Sequence, residues 1–495
     1  MQIKKSLFVT MIILAVFLGG IGTYFGTMFF TEDSPMYDLT EESDGTTTLS
    51  EAEYQEIIES ISDSVALPKV VQAFQIIQEY FLESVEDDDL IEGAVRGMLN
   101  TLDDPYSEYM DSESMERFNE QIESSFEGIG AEVSMVDGRV TIVAPIKDSP
   151  AEKAGLRPND QILTVDDESV EGLDLFEAVS KIRGEKGSEV TLEIIRPGVS
   201  NEITITLVRD TIPLETVYTE SQEVNGDHVG FIQITSFSEN TGARFKEDLA
   251  TLEDEGIDGL VIDVRGNPGG LLPVIQDILQ IFITKDQPYM QIEDGQGEVE
   301  RYYSTLEEPK DYPISVLIDE GSASASEILA ISLREAIDAT IVGTTSFGKG
   351  TVQQTIPMGD GSSIKLTLFN WLSPEGTSIH RVGVEPTIEV EQPEYYYVAP
   401  IQVEEDAFVY NDSDDNIGFA QIMLRGLGYQ VDRTDGYFSQ QTEDALIQFQ
   451  SDQSIEESGE LNSQTAELLQ VNLIEQIRSG ENDLQREKAF EVLFQ

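Results

Sequence analysis

The stretch Val316–Gln353, VLIDEGSASASEILAISLREAIDATIVGTTSFGKGTVQ, constrains the fold of this chain more than any other. The run Ile314–Asp319 is apolar and β-branched and predicts a short strand. Glu320-Gly321 ends it, and Ser322, Ala323, Ser324, Ala325 and Ser326 lead into a predicted helix over Ser326–Ile337. A second strand is expected at Ala339–Val342, then the turn Thr345-Ser346-Phe347-Gly348-Lys349-Gly350. A small-residue turn between strand and helix presents a serine well. The turn exposes the hydroxyl, and the helix N-terminus sets free N–H groups and a partial positive charge beside it.

A serine is a poor nucleophile until a base takes its proton. The chain has two histidines, His228 and His380, neither in a Gly-rich loop nor beside an evident orienting acid. Lys349, between Gly348 and Gly350, is the better candidate. Its amine must then be desolvated and neutral, since an unperturbed lysine titrates at about 10.4. Gln353, four residues on along an extended strand, is expected to face the same side and hold the amine by a neutral hydrogen bond.

SASASE followed by SFGKGTVQ resembles the active site of the C-terminal processing (tail-specific) peptidases, serine proteases with a Ser–Lys dyad. The resemblance implies Ser324 as nucleophile, Lys349 as base and Gln353 as its support. It requires no metal or cofactor, and the sequence has no Ca²⁺ loop and no His-Glu-x-x-His pattern. Strand Gly259–Val264 and the loop Arg265-Gly266-Asn267-Pro268-Gly269-Gly270 resemble the family's oxyanion loop. Gly269 or Gly270 would supply one backbone N–H and Ala325 the other. GNPGG also mimics the GNSGG of trypsin-like proteases, but with Pro268 in place of the serine, and that reading is rejected.

Phe126–Asp210 resembles a PDZ domain. Gly128, Ile129, Gly130, Ala131 and Val133 would form its carboxylate-binding loop and following strand, with a groove helix near Leu173–Ile182. Such a loop of N–H groups suits a free C-terminus, and the edge strand can pair with an extended peptide. At the end of the groove helix, in KIRGEKG, Arg183 is either a regulatory contact to the protease or a solvated helix-end cation.

The fold class expected is α/β and multidomain, over 495 residues. Residues 1–6, with Lys4 and Lys5, form a cytoplasmic tail, and 7–30 carry no charge over a length that spans a bilayer. Lysines before the span and acids after it place the rest outside a bacterial cell membrane, as a single-pass anchor. A cleaved signal peptide is the less favoured alternative. Residues 31–50 are an acidic linker, and 51–115 a helical region containing LDDPYSEYM, which braces the protease body or forms a homodimer contact. The PDZ domain, a β-sandwich with helices, is placed at 116–210, and a crotonase/Clp-like α/β protease core at 211–401. After a linker at 402–415, residues 416–475 resemble a small all-α peptidoglycan-binding domain, through Leu-Gly-Tyr, Asp-Gly-Tyr-Phe and a later Gly-x-Leu. Residues 476–495 are a C-terminal helix or, since EVLFQ matches one, a tag remnant.

A formal charge of −66, from 95 acidic and 29 basic residues, excludes nucleic acid as a partner. Cysteine is absent, which removes disulfides and thiol chemistry. The expected function is an extracytoplasmic serine endopeptidase that binds the free C-terminal tails of protein or peptide substrates, in a processing or signalling step. The alternative is a non-catalytic tail-binding scaffold between membrane and cell wall.

Overall fold

The computed structural model describes residues 67–495, apart from 124, 137, 174, 198, 200, 404, 405, 481 and 495. The expected tail, membrane span and acidic linker, and the start of the helical region, lie outside the described residues. Among those described, no helix is long and apolar enough to cross a membrane.

The first described helices are α1 (Leu67–Tyr80) and α2 (Asp87–Leu99). Asp87, Asp88 and Asp89 open α2, where carboxylates complement the helix dipole. A short strand, β1 (Glu108–Met110), and α3 (Ser112–Ile122) follow, the latter capped by Asp111 accepting from Ser114 N–H. Val95 and Leu99 of α2 pack with Tyr109 of β1 against Ile364 and Leu366 of the protease body. This region therefore braces the body.

Residues 125–213 form β2 (Ser125–Gly128), β3 (Ala131–Val136), β4 (Arg139–Pro145), α4 (Pro150–Lys153), β5 (Gln161–Val165), β6 (Glu168–Ser169), α5 (Leu175–Ile182), β7 (Glu189–Ile195), β8 (Ile203–Val208) and β9 (Asp210–Pro213). One sheet runs β3-β4-β5-β7-β8, with β6 paired to β5. Alternate residues of β7, Val190, Leu192 and Ile194, are fully buried, the period of two that a one-sided sheet demands. They pack with Ala178 and Ile182 of α5, leaving β3 at the sheet edge. Outside this sheet β2 pairs with β9, so both connections to the rest of the protein run through one antiparallel ribbon.

The protease body comprises β10 (Val217–Val224), β11 (Asp227–Ile234), α6 (Thr241–Glu255), β12 (Gly259–Asp263), α7 (Leu272–Phe282), β13 (Pro288–Asp294), β14 (Val299–Tyr303), β15 (Ile314–Ile318), α8 (Ala325–Ile337), β16 (Thr340–Gly343), β17 (Thr351–Pro357), β18 (Ser363–Leu372) and β19 (Ile388–Glu389). Its central sheet runs β10-β11-β12-β15-β16-β19, antiparallel in the first pair and parallel thereafter. Strands β12 and β15 are buried at every position, which explains their mostly apolar sequences, with buried Ser315 donating to Ala489 O. One face, with Ile232, Leu260, Ile262, Val316 and Ile341, packs on α6, α7 and α8. A second sheet joins β1, β18, β13 and β14, with β17 also on β18. No sequence signal had pointed to this sheet.

The C-terminal helices are α9 (Asp415–Gly426), α10 (Gln440–Asp452), α11 (Ser463–Arg478) and α12 (Leu484–Val492). Asp414, Ser439 and Asn462 cap the first three. Ile417, Phe438, Leu446, Phe449 and Leu469 form their common core, and α11 runs past the expected limit at residue 475. Helix α12 leaves this bundle and returns to the protease. Ala489, Phe490 and Leu493 cover the other face of the central sheet, against Val229, Phe231, Val261, Leu317 and Val342. Of the EVLFQ segment, Leu493 and Val492 lie in this layer.

Candidate active site

The three serines of SASAS have different fates. Ser322 is buried and donates to Val264 O at 2.8 Å, and Ser326, also buried, donates to Asn267 O at 2.9 Å. Only Ser324 reaches toward solvent. It stands immediately before α8 with φ 54° and ψ −112°, a backbone conformation a non-glycine residue adopts only under constraint. The constraint is visible. Ala323 N–H donates to Asn267 O at 3.0 Å, Ser324 N–H to Glu327 Oε2 at 2.8 Å, and Ile328 N–H to Ser324 O at 2.9 Å.

Two glycines of positive φ, Gly269 (104°) and Gly270 (151°), lie against this turn. A Cβ at Gly269 would stand 2.9 Å from Ser324 Cβ and 3.1 Å from Ala325 N, and one at Gly270 2.3 Å from Phe237 O. Glycine is therefore required at both. Buried Asn267 sets the loop, donating to Ile234 O at 2.8 Å and accepting from Gly269 N–H at 2.9 Å. The Gly269 N–H is thus engaged. Those of Gly270 and Ala325 have no acceptor among the described residues, and of the two glycines Gly270 is the available donor.

Glu327, wholly buried, ties the serine turn to the lysine loop. Its carboxylate accepts from Ser324 N–H and Lys349 N–H at 2.8 Å each, from Gly348 N–H at 2.6 Å and from Ser346 Oγ at 2.5 Å. Burying a carboxylate is costly unless its lone pairs are filled, and here four donors fill them. Phe347 N–H to Ser322 O adds a further tie at 3.0 Å. The Lys349 carbonyl accepts from Trp371 Nε1 at 3.0 Å. Burial pushes the Lys349 amine below its ordinary value, Lys365 adds to this, and Asp104, Glu327 and Glu108 oppose it.

Gln353 departs from expectation. Its side-chain amide donates to Thr351 Oγ1 at 3.0 Å and Thr367 Oγ1 at 3.1 Å, not to Lys349. Lys349 lies in the loop before β17, which starts at Thr351, so strand alternation does not set which side the two residues share. His380 accepts from Gly350 N–H at 3.3 Å through Nδ1. Among the described residues, no group of three His, Asp or Glu side chains could hold a metal ion.

In the expected peptide-binding loop, Gly128 ends β2, Ile129 is buried, and Ala131 and Val133 lie on edge strand β3. Gly130, at φ 75°, has no room for a side chain, with Ser149 Cβ 2.4 Å from where one would begin. The Arg183 guanidinium lies over the Phe126 ring of the ribbon, 4.9 Å from its centroid. Behind the glycine loop, Arg265 joins Asp263 to Asp483, the cap of α12, with bonds of 2.6 and 2.8 Å.

Family models match at residues 228–390 (peptidase family S41), 16–114 (activating protease CtpB N-terminal domain), 128–207 (PDZ domain) and 413–469 (peptidoglycan binding domain). Carboxy-terminal processing protease CtpB of Bacillus subtilis (strain 168) is 45% identical over 480 residues, 97% of each chain. The chain belongs to peptidase family S41, the carboxy-terminal processing proteases. Protease CtpA of the same organism is 42% identical over 86% of this chain and 90% of its own. The photosystem II D1 C-terminal processing protease is 27% identical, with a TM-score of 0.41 over 66% of this chain and 94% of that one. This S41 serine protease carries a PDZ domain and a C-terminal helical peptidoglycan-binding domain.

Residues that sequence reasoning passed over are Glu327, Asn267 and Tyr106. A signal existed for the first: Ser324-x-x-Glu327 is a capping-box pattern. For the others the deciding contacts, Asn267 to Ile234 O and Tyr106 to Lys349, lie far apart in sequence.

Proposed function

We propose that Ser324 and Lys349 form the catalytic dyad of a membrane-anchored, extracytoplasmic endopeptidase that takes substrate C-terminal tails in its PDZ groove. The observation that carries this reading is the pair of unengaged N–H groups, Gly270 and Ala325, flanking strained Ser324, whose turn shares the Glu327 carboxylate with the lysine loop. Ser324 Oγ attacks the scissile carbonyl carbon as its proton passes to neutral Lys349 Nζ. The Gly270 and Ala325 N–H groups receive the oxyanion. Lys349 returns the proton to the leaving amine, giving an acyl-enzyme that water hydrolyses by the same route. Gln353, bonded to Thr351 and Thr367, supports the strand that follows Lys349. The uncharged run 7–30 supports the anchor, and the C-terminal helices support a peptidoglycan contact. Substrate trimming in a regulatory step is the role in which a tail reader coupled to a protease is most useful.

Cleavage of an unstructured protein with an apolar C-terminus tests the assignment. Ser324→Ala and Lys349→Ala should each lower kcat by about 10⁴-fold or more, with the fold intact. Ser322→Ala and Ser326→Ala should stay active, as should His380→Ala. An inactive, folded Ser322→Ala with active Ser324→Ala contradicts the assignment.

A further inference from the structure

We propose that Tyr106, from the region preceding the PDZ domain, is a positioning residue for the dyad base: its ring covers the Lys349 amine and keeps water from it. The inference rests on the Ser–Lys reading above. Lys349 Nζ lies 4.9 Å from the centroid of the Tyr106 ring. Distance alone would say little were the ring on a loose loop, but the loop is fixed. Asp104 accepts from Tyr106 N–H at 3.2 Å and from Ser107 Oγ at 2.6 Å. Ser107 Oγ in turn accepts from Thr367 N–H at 3.0 Å, and Glu108–Met110 pairs with Ser363–Lys365 as the edge of the second sheet. That sheet also contains β17, which begins two residues after Lys349. Ring and amine are thus held by one sheet.

The Lys349 backbone is held at both ends, by Glu327 at its N–H and Trp371 at its carbonyl. The groups that act on its side chain come from three regions: Asp104, Glu108 and the Tyr106 ring of the N-terminal region, Glu327 of α8 and Lys365 of β18. The three carboxylates favour the ammonium, so the neutral amine depends on exclusion of water and on Lys365. The ring face also attracts an ammonium, but more weakly than water lost from a buried amine disfavours it. The Tyr106 hydroxyl has no hydrogen-bond partner among the described residues, so the ring alone performs the task. Deleting the ring should admit water, and the amine should then titrate higher.

The test is the pH dependence of kcat/KM on one unstructured protein substrate for the full chain, Tyr106→Phe, Tyr106→Ala and Lys349→Ala. The acid limb should fall at the same pH for the parent and Tyr106→Phe. In Tyr106→Ala it should move to higher pH, with kcat/KM about tenfold lower below the limb for each unit moved and the parent value regained above it. A Tyr106→Ala limb that stays in place while the rate falls equally at all pH, or that moves to lower pH, overturns the proposal. Cleavage retained in Lys349→Ala overturns the dyad reading itself, whatever Tyr106 does.

Discussion

Lys349 and Glu327 show how much of this site depends on side chains held against their own solvation. The folded protein holds the Lys349 amine below its ordinary value, chiefly by burial. Between that lowered value and about 10.4, the unfolded chain carries a proton that the folded chain lacks, so stability rises with pH. Below the lowered value both states are charged, and the fold bears the full cost of the buried ammonium. Lys349→Met, which keeps the stem and removes the charge, should therefore abolish cleavage and raise Tm at neutral pH; a lowered Tm in a thermal melt contradicts this. The proposed dyad could be read from the sequence because each candidate sits in a local motif, a Ser/Ala turn and a Gly-Lys-Gly loop. The approach of Tyr106 could not, since 243 residues of chain separate it from the amine 4.9 Å from its ring.

At the scale of elements, the strands of the central sheet were readable and their coverings were not. A fully buried parallel strand writes itself as an apolar run, as in Ile314–Ile318. Helix α12 mixes charged and apolar residues without a clear face in its sequence, so nothing local announced that Phe490 would be buried under the sheet. Phe490→Ala should destabilise the protein by about 3–5 kcal/mol, read as a shift in the urea midpoint; a change under about 1 kcal/mol contradicts a structural role for α12. Gln353 bonds to Thr351 and Thr367 while Lys349 precedes β17, so strand periodicity could not relate Gln353 to Lys349. Asp483 at the start of α12 is pushed up by burial, but Arg265 and the cap bonds outweigh this and leave it below the usual carboxylate value. Its contribution is present above about pH 4 and is lost as pH falls through the lowered value, so α12 should loosen in acid.

Across the whole molecule, a PDZ domain is joined to a protease through one two-stranded ribbon, with Arg183 stacked on that ribbon's Phe126. Peptide binding can favour an aligned dyad only through a difference in affinity between two states. A short peptide with a free apolar C-terminus should speed hydrolysis of a separate, tail-less reporter, and its C-terminal amide should not. Equal rates with acid, amide and no peptide would reduce the PDZ domain to a tether. The domain order was legible from motifs that each lie within one segment; the contacts between segments, which bring β1 and α12 to the protease, were not. The central claim, a serine activated by a lysine, is tested most directly by a serine-reactive fluorophosphonate followed by peptide mapping. The account predicts label on Ser324 in the parent protein and almost none in a folded Lys349→Ala variant. Label on another serine, or equal labelling of Ser324 without Lys349, would contradict it.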